Sequence, residues 1–241
     1  MFPAGHGFAN TGIIDIRRPV NWQCPMNAGL RGHYQYIPAW RSQRVFRDLT
    51  RRNDGTLTGG AVLSNHSHAS GMGSVLIGGN GSNDYVNLGL GSIFDNIGSF
   101  SFMAWICPSA VDSANTIVAC GDHGSNYTFF FAIGTSYGTP DGITTQLGGI
   151  GGVDVDVQSV VDEWMHYGMS WDGSTIKVFK NGVLQGSASG SGTSRSNNKT
   201  NRIGDYGGLG LEFDGYIDDV RYYPSVCLPD KVFASVYSLS R

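Results

Sequence analysis

The chain has 241 residues, 36 of them glycine, and a formal net charge of -3 at pH 7. Only 15% of its residues are charged, and glutamate, which favours helices, occurs at just two positions. This composition is typical of one large β domain with many short strands and tight turns. The small negative charge gives no electrostatic basis for binding nucleic acid or an anionic membrane, so neither is expected as a partner.

The apolar runs, the first residues and the cysteines exclude further classes of protein. No apolar run approaches the roughly 18 residues of a membrane span. The first ten residues lack a basic region followed by an apolar one, so no secretion signal is expected. The four cysteines are scattered and have no C-x-x-C spacing, which argues against a disulfide scaffold and against a zinc site.

Residues 1–28 show little periodicity and contain Pro3, Pro19 and Pro25. Such a segment cannot build a core of its own. We interpret it as an extended N-terminal arm that packs on a neighbouring subunit or partner, with a frayed tail as the alternative. The protein is therefore expected to be oligomeric or bound within an assembly, and residues 29–241 form the folded domain.

An arginine cluster follows the arm, at positions 41, 44, 47, 51 and 52. It suits either an acidic partner or a solvated loop. Farther on, His66 and His68 stand two apart in a polar stretch, residues 61–72, that is expected to be a loop. The pair could bind a metal if it lay on a strand, and a solvated loop is the alternative.

Turn signals and period-two alternation predict a series of antiparallel strands. The strongest turn signal is Asn181-Gly182, where both residues must take a positive φ. A turn of helix and a last strand are expected within residues 230–239. The predicted strands cover residues 33–37, 56–58, 74–77, 84–88, 99–106, 116–120, 127–133, 143–147, 153–158, 164–171, 175–179, 183–188 and 202–204.

The alternation in residues 99–106 separates two faces. One set is expected in the core: Phe100, Phe102, Ala104 and Ile106. Trp105 points to the other side, where an exposed indole could stack on a sugar. Further candidates for a carbohydrate-binding surface, with ordinary packing as the alternative, are Tyr127, Trp171 and Tyr206.

The longest alternating stretch, residues 211–223, predicts the middle strand of an antiparallel sheet. Asp218 has the parity of Val220 and Tyr222, so its carboxylate is expected to face the interior. There it either caps the end of the core or holds a cation. Asp219 and Arg221 have the opposite parity and are expected to pair in solvent.

Three stretches resemble the laminin-G-like jelly rolls of the concanavalin A-like lectin/glucanase superfamily. They read G-S-N-D-Y-V at 81–86, W-M-H-Y to K-N-G at 164–182, and F-D-G-Y-I-D-D-V-R-Y-Y at 213–223. The resemblance covers residues 29–241 and implies an all-β fold, a two-sheet antiparallel jelly-roll sandwich, in agreement with the predicted strands.

This resemblance also implies a metal site. Members of the family commonly hold a structural Ca²⁺ near the sheet edge, which implies Asp218 as a ligand with help from the turn that ends at Asp84. Carboxylate and carbonyl oxygens suit Ca²⁺. The alternative is that both aspartates accept backbone N–H bonds at strand starts.

Glucanases share this fold, so catalysis must be considered. Those resembling laminarinases use paired glutamates in E-x-D-x-x-E on one strand. Here Glu163 and Glu212 lie far apart, and Asp154 and Asp156 are the only strand-like carboxylate pair two residues apart. His166 has no serine or cysteine at a recognisable nucleophile elbow. The sequence therefore predicts no enzyme.

The early segment resembles laminin-G-like proteins encoded in tailed-phage genomes, through N-W-Q-C-P-M-N-A-G-L-R-G-H-Y at 21–34 and D-L-T-R-R-N-D-G-T-L-T at 48–58. This implies a non-enzymatic virion surface protein, for capsid decoration or adhesion, that contacts capsid or tail proteins. Binding of host or bacterial glycans is an added role. The alternative is a secreted bacterial carbohydrate-binding module, located outside the cell.

Overall fold

The structure, a computed structural model, describes residues 20, 23–38, 44–69, 72–78, 83–90, 95, 97–111, 115–122, 126–134, 142–193, 198–207 and 211–241. Sixteen strands, one short 3-10 helix (Pro25–Asn27) and one α-helix occur within these residues. The strands are β1 (Gly32–Gln35), β2 (Val45–Asp48), β3 (Gly55–Thr58), β4 (Val62–Ser64), β5 (Ser74–Gly78), β6 (Tyr85–Leu90), β7 (Phe100–Pro108), β8 (Asn115–Asp122), β9 (Asn126–Ile133), β10 (Gly142–Leu147), β11 (Gly151–Asp156), β12 (Met165–Trp171), β13 (Thr175–Lys180), β14 (Val183–Ser189), β15 (Thr200–Ile203) and β16 (Asp214–Pro224), and the helix is α1 (Asp230–Leu239).

The strands form two antiparallel sheets that face each other. Sheet 1 has the order β1-β16-β7-β12-β13-β14, with β5 beside the first half of β16 and β4 beside β5. Sheet 2 has the order β11-β10-β9-β8-β15-β6-β3-β2, and β2 also pairs with β1, so one hydrogen-bonded path joins both sheets. The predicted all-β jelly-roll sandwich is confirmed. Two short strands, β2 and β4, lie where no strand was predicted.

The main core lies between the two sheets. The four inward residues predicted for β7 are all buried in it, as is Phe129 of β9, which lies against Phe100 at 5.3 Å between ring centroids. The Asn181-Gly182 turn also follows the prediction, because both residues have positive φ, 51° and 76°. Strict alternation and turn chemistry therefore located these elements correctly.

The long strand β16 is central in sheet 1, as predicted. It pairs with β7 along one side, and with β5 and then β1 along the other. Its predicted faces are correct from Val220 onward but wrong at Ile217 and Asp218, because the ladder to β7 shifts between Asp218 and Arg221. Asp219 lies there in the left-handed region at φ 45°. One extra residue of this kind is a β-bulge, and it reverses which side chains face the core.

As a result Ile217, Val220 and Tyr222 all lie in the core cluster. Asp218 lies opposite Trp105, an outward-facing residue of β7. The carboxylate predicted to face the sandwich interior therefore faces outward instead.

A second apolar cluster covers the outer face of sheet 1. Helix α1 packs there through Phe233, whose ring stacks on Phe179 at a centroid distance of 4.0 Å. The helix occupies all of residues 230–239, so the strand predicted at its end is wrong. No described helix is long and apolar enough to cross a membrane.

Val20 and Met26, from the segment predicted to be an arm, pack against this outer cluster. Residues 1–19, 21 and 22 lie outside the described part of the chain. The division of the chain at residues 28 and 29 remains a prediction.

Candidate functional site

The outward-facing side chains at the edge of sheet 2 form the candidate site. Thr144 and Gln146 alternate along β10 with the core residues Ile143 and Leu147. Tyr127 on β9 donates its hydroxyl hydrogen to Oε1 of Gln146 at 2.9 Å. On the side of β10 away from β9, β11 pairs with β10 and places two further residues beside Thr144 and Gln146.

These two residues are Gly152 and Asp154. Thr144 donates its Oγ1 hydrogen to Oδ1 of Asp154 at 3.0 Å. A groove of about 240 Å³ lies at this paired stretch of β10 and β11, lined by residues 144–146 and 152–154. We call the set of Tyr127, Thr144, Gln146, Gly152 and Asp154 the tyrosine groove.

Glycine keeps this groove open. A Cβ on Gly152 would lie 2.6 Å from the backbone oxygen of Thr145 and 2.7 Å from Cγ of Gln146. Both distances are far shorter than real Cβ contacts. Any larger residue at position 152 would therefore displace Gln146 or the β10 backbone.

The groove offers the groups that recognise hydroxyl-rich ligands. The amide nitrogen of Gln146 has no acceptor among the described residues, because its hydrogen bond to Tyr127 uses only Oε1. Asp154 is exposed, and its Oδ2 has no partner within the described residues. An amide donor and a carboxylate acceptor beside a half-buried tyrosine ring match a polyol surface with polar edges and an apolar face.

The four aromatic residues predicted to bind carbohydrate fall into three places. Tyr127 and Tyr206 come together at the tyrosine groove, with their ring centroids 5.9 Å apart at 81°. Tyr206 is only 2% exposed because it packs on Phe130, and Trp171 is fully buried in the core. A ring without an exposed face cannot stack on a sugar, so these two are packing residues.

Trp105 was expected to be exposed and is only 3% exposed. It does face outward, but the C-terminal part of the chain covers it. Its Nε1–H donates to Oγ of Ser240 at 2.8 Å, and its ring stacks on Tyr237 and on His68. Of the four predicted residues, Tyr127 is therefore the one that keeps ring surface for a ligand.

Asp218 lies beside this covered tryptophan. Its Oδ2 accepts hydrogen bonds from Oγ of Ser67 at 2.7 Å and from Nδ1 of His68 at 2.8 Å. Its Oδ1 accepts the backbone N–H of Asp219 at 2.7 Å. Both carboxylate oxygens are thus satisfied by protein donors, and the side chain has no exposed surface.

The predicted partner in a Ca²⁺ site lies elsewhere. Asp84 precedes β6 of sheet 2, and its Oδ1 accepts the backbone N–H of Gly60. Residues 79–82, in the turn that was expected to help, lie outside the described residues. No group of three or more His, Cys, Asp or Glu residues that could hold a metal occurs in the part that is described. The described residues therefore do not fit a Ca²⁺ ion shared by Asp84 and Asp218.

Asp219 and Arg221 do pair, but they are buried instead of solvated. Nε and Nη2 of Arg221 donate to the two carboxylate oxygens of Asp219, each at 2.8 Å. Nε2 of His33, opposite on β1, lies 2.6 Å from Oδ1 of Asp219. Burial opposes the charge on Asp219, but Arg221 and His33 hold its pKa well below the ordinary value.

Burial and the nearby Arg221 lower the pKa of His33. The imidazole is therefore neutral at pH 7 and donates its Nε2 hydrogen to Asp219. The three residues form one network: a buried ion pair held by a neutral histidine.

Of the other predicted histidines, His68 and His166 are buried on the same face, whereas His66 is exposed. Within the described residues, His66 and His68 belong to no group that could hold a metal ion. His66 lies against Tyr216 and Trp164, with ring centroids 4.4 and 5.3 Å away. His166 is buried against Trp105, and this burial lowers its pKa to about 3. Its Nδ1 has no hydrogen-bond partner within the described residues. An imidazole held neutral and enclosed is a packing residue, with no access to a substrate.

With the fold and the groove in place, comparison with known proteins assigns the family. Residues 78–233 match the laminin G family model described as the concanavalin A-like lectin/glucanases superfamily. The chain belongs to this superfamily. No curated protein sequence matches the chain.

Several solved structures share the fold of this superfamily member. Domain 4 of AbnA, a GH43 extracellular arabinanase from Geobacillus stearothermophilus in complex with arabinotriose, has a TM-score of 0.66 at 18% identity, over 88% of this chain and 98% of that one. The binding domain of Paraclostridial Mosquitocidal Protein 1 has a TM-score of 0.64 at 11% sequence identity, and the match covers 88% of this chain and 52% of that one. The binding domain of Botulinum Neurotoxin DC in complex with SialylT has a TM-score of 0.58 at 13% sequence identity, and the match covers 89% of this chain and 52% of that one. At these identities the likeness concerns the fold alone.

Proposed function

We propose that this domain binds glycans at the tyrosine groove without cleaving them. The observation that carries the proposal is the free amide of Gln146 and the exposed carboxylate of Asp154 at one open groove beside Tyr127. A donor and an acceptor held by neighbouring strands can each bond one hydroxyl of a sugar, and the backbone ladder fixes their spacing.

The comparisons support binding as the role. One similar structure holds arabinotriose, and another is a toxin binding domain in complex with SialylT. The groove itself supports the absence of cleavage: Asp154 is the one carboxylate among its described lining residues. Hydrolysis of a glycoside usually requires two.

Glycan-array screening followed by calorimetry tests this proposal. The array includes arabino-oligosaccharides and sialylated oligosaccharides. For the glycan that binds, we expect Gln146→Ala and Asp154→Asn each to weaken affinity about tenfold, the worth of one hydrogen bond to a charged or buried group.

The matched control is Asp156→Asn. Asp156 lies on the same strand and face as Asp154, but its Oδ1 accepts from Gln158 and it does not line the groove. This variant is expected to bind as the natural chain does. Absence of binding to every glycan, or equal binding by all three variants, would contradict the proposal.

The location is a finer proposal. We propose that the domain sits on the surface of a virus particle, as a decoration or adhesion protein attached to capsid or tail proteins. The resemblance of residues 21–34 and 48–58 to proteins of tailed-phage genomes supports it. Mass spectrometry of purified particles should detect the chain. Its presence only in bacterial culture medium would favour the alternative, a secreted carbohydrate-binding module.

A further inference from the structure

The segment from Arg47 to Asp54, which we call the arginine loop, joins β2 to β3 and is organised by one carboxylate. Oδ1 of Asp48 accepts the backbone N–H groups of His33 and Thr50, at 3.0 and 2.9 Å. Oδ2 of Asp48 accepts the Thr50 hydroxyl at 2.7 Å and the backbone N–H groups of Arg52 and Asn53, at 3.1 and 3.0 Å. Five hydrogen bonds to a single buried side chain fix the path of the loop.

The loop presents two unpaired guanidinium groups. Arg51 and Arg52 are exposed, and neither side chain has an acceptor within the described residues. Arg51 is held in the left-handed region at φ 61°. Arg47 lies beside them and pairs with the partly exposed Asp54. A cleft of about 560 Å³ is lined by these side chains.

The arginine loop and its surroundings are positively charged, whereas the whole chain is negatively charged. Arg31 and Arg52 line a second cleft next to the first, so four arginines stand near two aspartates, Asp48 and Asp54. The local excess is two positive charges in a chain whose net charge is -3. Asp48 is buried and fully occupied by its hydrogen bonds, so it does not compete for the guanidinium groups.

Arginine groups of this kind recognise oxyanions. A guanidinium is planar and donates two parallel N–H bonds to a carboxylate, a sulfate or a phosphate. Because the loop is already fixed, little backbone freedom would be lost when an anion binds. The half-exposed ion pair of Arg47 and Asp54 would contribute little by itself.

We propose that the arginine loop is a second binding site, which takes the anionic groups of an acidic polysaccharide. The site is separate from the tyrosine groove. The proposal rests on the proposed glycan-binding function only in naming a polysaccharide as the carrier of the charge.

Two pairs of polymers test the proposal and separate carboxylate from sulfate. Polygalacturonate is compared with its fully methyl-esterified form, and dextran sulfate with dextran. Each pair shares a backbone and differs in charge. Binding is measured at 50 and 200 mM salt. We expect the charged member of at least one pair to bind, with an affinity that falls as salt rises, and the neutral members not to bind through this loop.

The test variant is Arg51→Gln with Arg52→Gln, and we expect it to lose at least tenfold in affinity for the charged polymer. The control, Lys231→Gln with Arg241→Gln, removes the same charge from two exposed residues near the C-terminus and should change affinity less than twofold. A third variant, Arg51→Lys with Arg52→Lys, keeps the charge but loses the planar fork, and should fall between the other two.

Three outcomes would overturn the proposal: no binding of either charged polymer at 50 mM salt, equal losses in the test and control variants, or equal binding of charged and neutral polymers. The double substitution Arg51→Gln with Arg52→Gln should cost the same factor in affinity for the charged polymer whether or not Gln146→Ala is also present. Failure of the tyrosine groove and failure of the arginine loop therefore give different results.

Discussion

The outer faces of the two sheets differ in how far their polar side chains are exposed to solvent. On sheet 1, Asp218, Asp219, Arg221 and His166 are all buried, and α1 lies over the same face. On sheet 2, Asp154 at the tyrosine groove is exposed, and one of its oxygens has no partner in the part of the chain that the structure describes. An outward position in a strand therefore gives no guarantee of contact with solvent. What covers the face decides whether a polar side chain stabilises the fold or is free to bind.

The first prediction places the same substitution on each face. We expect Asp219→Asn to lower the free energy of unfolding by about 3–5 kcal/mol, because Arg221 would remain buried without a counter-charge. Asp154→Asn on sheet 2 should change it by less than about 0.5 kcal/mol, as surface substitutions usually do. Urea unfolding at pH 7 measures both. Similar values for the two variants would show that the faces do not differ in this way.

The second prediction uses pH. His166 is buried as a neutral imidazole with a pKa of about 3, whereas an unfolded chain protonates histidine near pH 6.5. Below that pH the unfolded state binds a proton that the folded state does not. Stability should therefore fall as the pH falls, by up to about 1.4 kcal/mol per pH unit for this residue.

His33, whose pKa is also lowered, adds a loss of the same sign. Asp219 adds none above about pH 4, because its depressed pKa matters only below the ordinary carboxyl range. Unfolding free energies at pH 7, 6 and 5 measure the slope. The variant His166→Phe should show a shallower slope than the natural chain. Equal slopes would mean that His166 binds protons equally in the folded and unfolded states, which would contradict its lowered pKa.

The third prediction concerns the smallest expected change, that of the melting temperature when a chelator is added. Because Asp218 is satisfied by Ser67, His68 and a backbone N–H, a chelator should leave the melting temperature unchanged within about 1 °C. A fall in melting temperature with EDTA that added Ca²⁺ restores would instead reveal a Ca²⁺ site, by mass action on the folded state.

The sequence predicted the faces of β7 throughout but those of β16 only from Val220 onward, and the reason is local. In β7 the alternation is unbroken, so Phe100 and Phe102 follow directly from it. In β16 the bulge at Asp219 depends on a positive φ at a residue that is not glycine. No pattern in the sequence marks that position, so strict alternation places Ile217 and Asp218 on the wrong faces although it places Val220 and Tyr222 correctly.

The exposure of Trp105 and the composition of the groove depend on distant residues. Ser240 and Tyr237, which cover Trp105, lie more than 130 positions away in the sequence. Tyr127 and Gln146 meet only because β9 pairs with β10 in one register. Periodicity identifies which residues face outward, but it does not show which of them become neighbours or what lies over them.

The pairing of β1 with β16 has a consequence for synthesis of the chain. Gly32 stands opposite Tyr222, so the first strand meets its central neighbour only after some 190 further residues have been added. At ordinary rates of translation this takes about 10–40 s. For that time the ribosome carries a chain whose sheet 1 lacks its middle strand, with hydrophobic surface that chaperones would recognise. Any ribosome stall or premature stop before residue 222 would release a chain without its central strand.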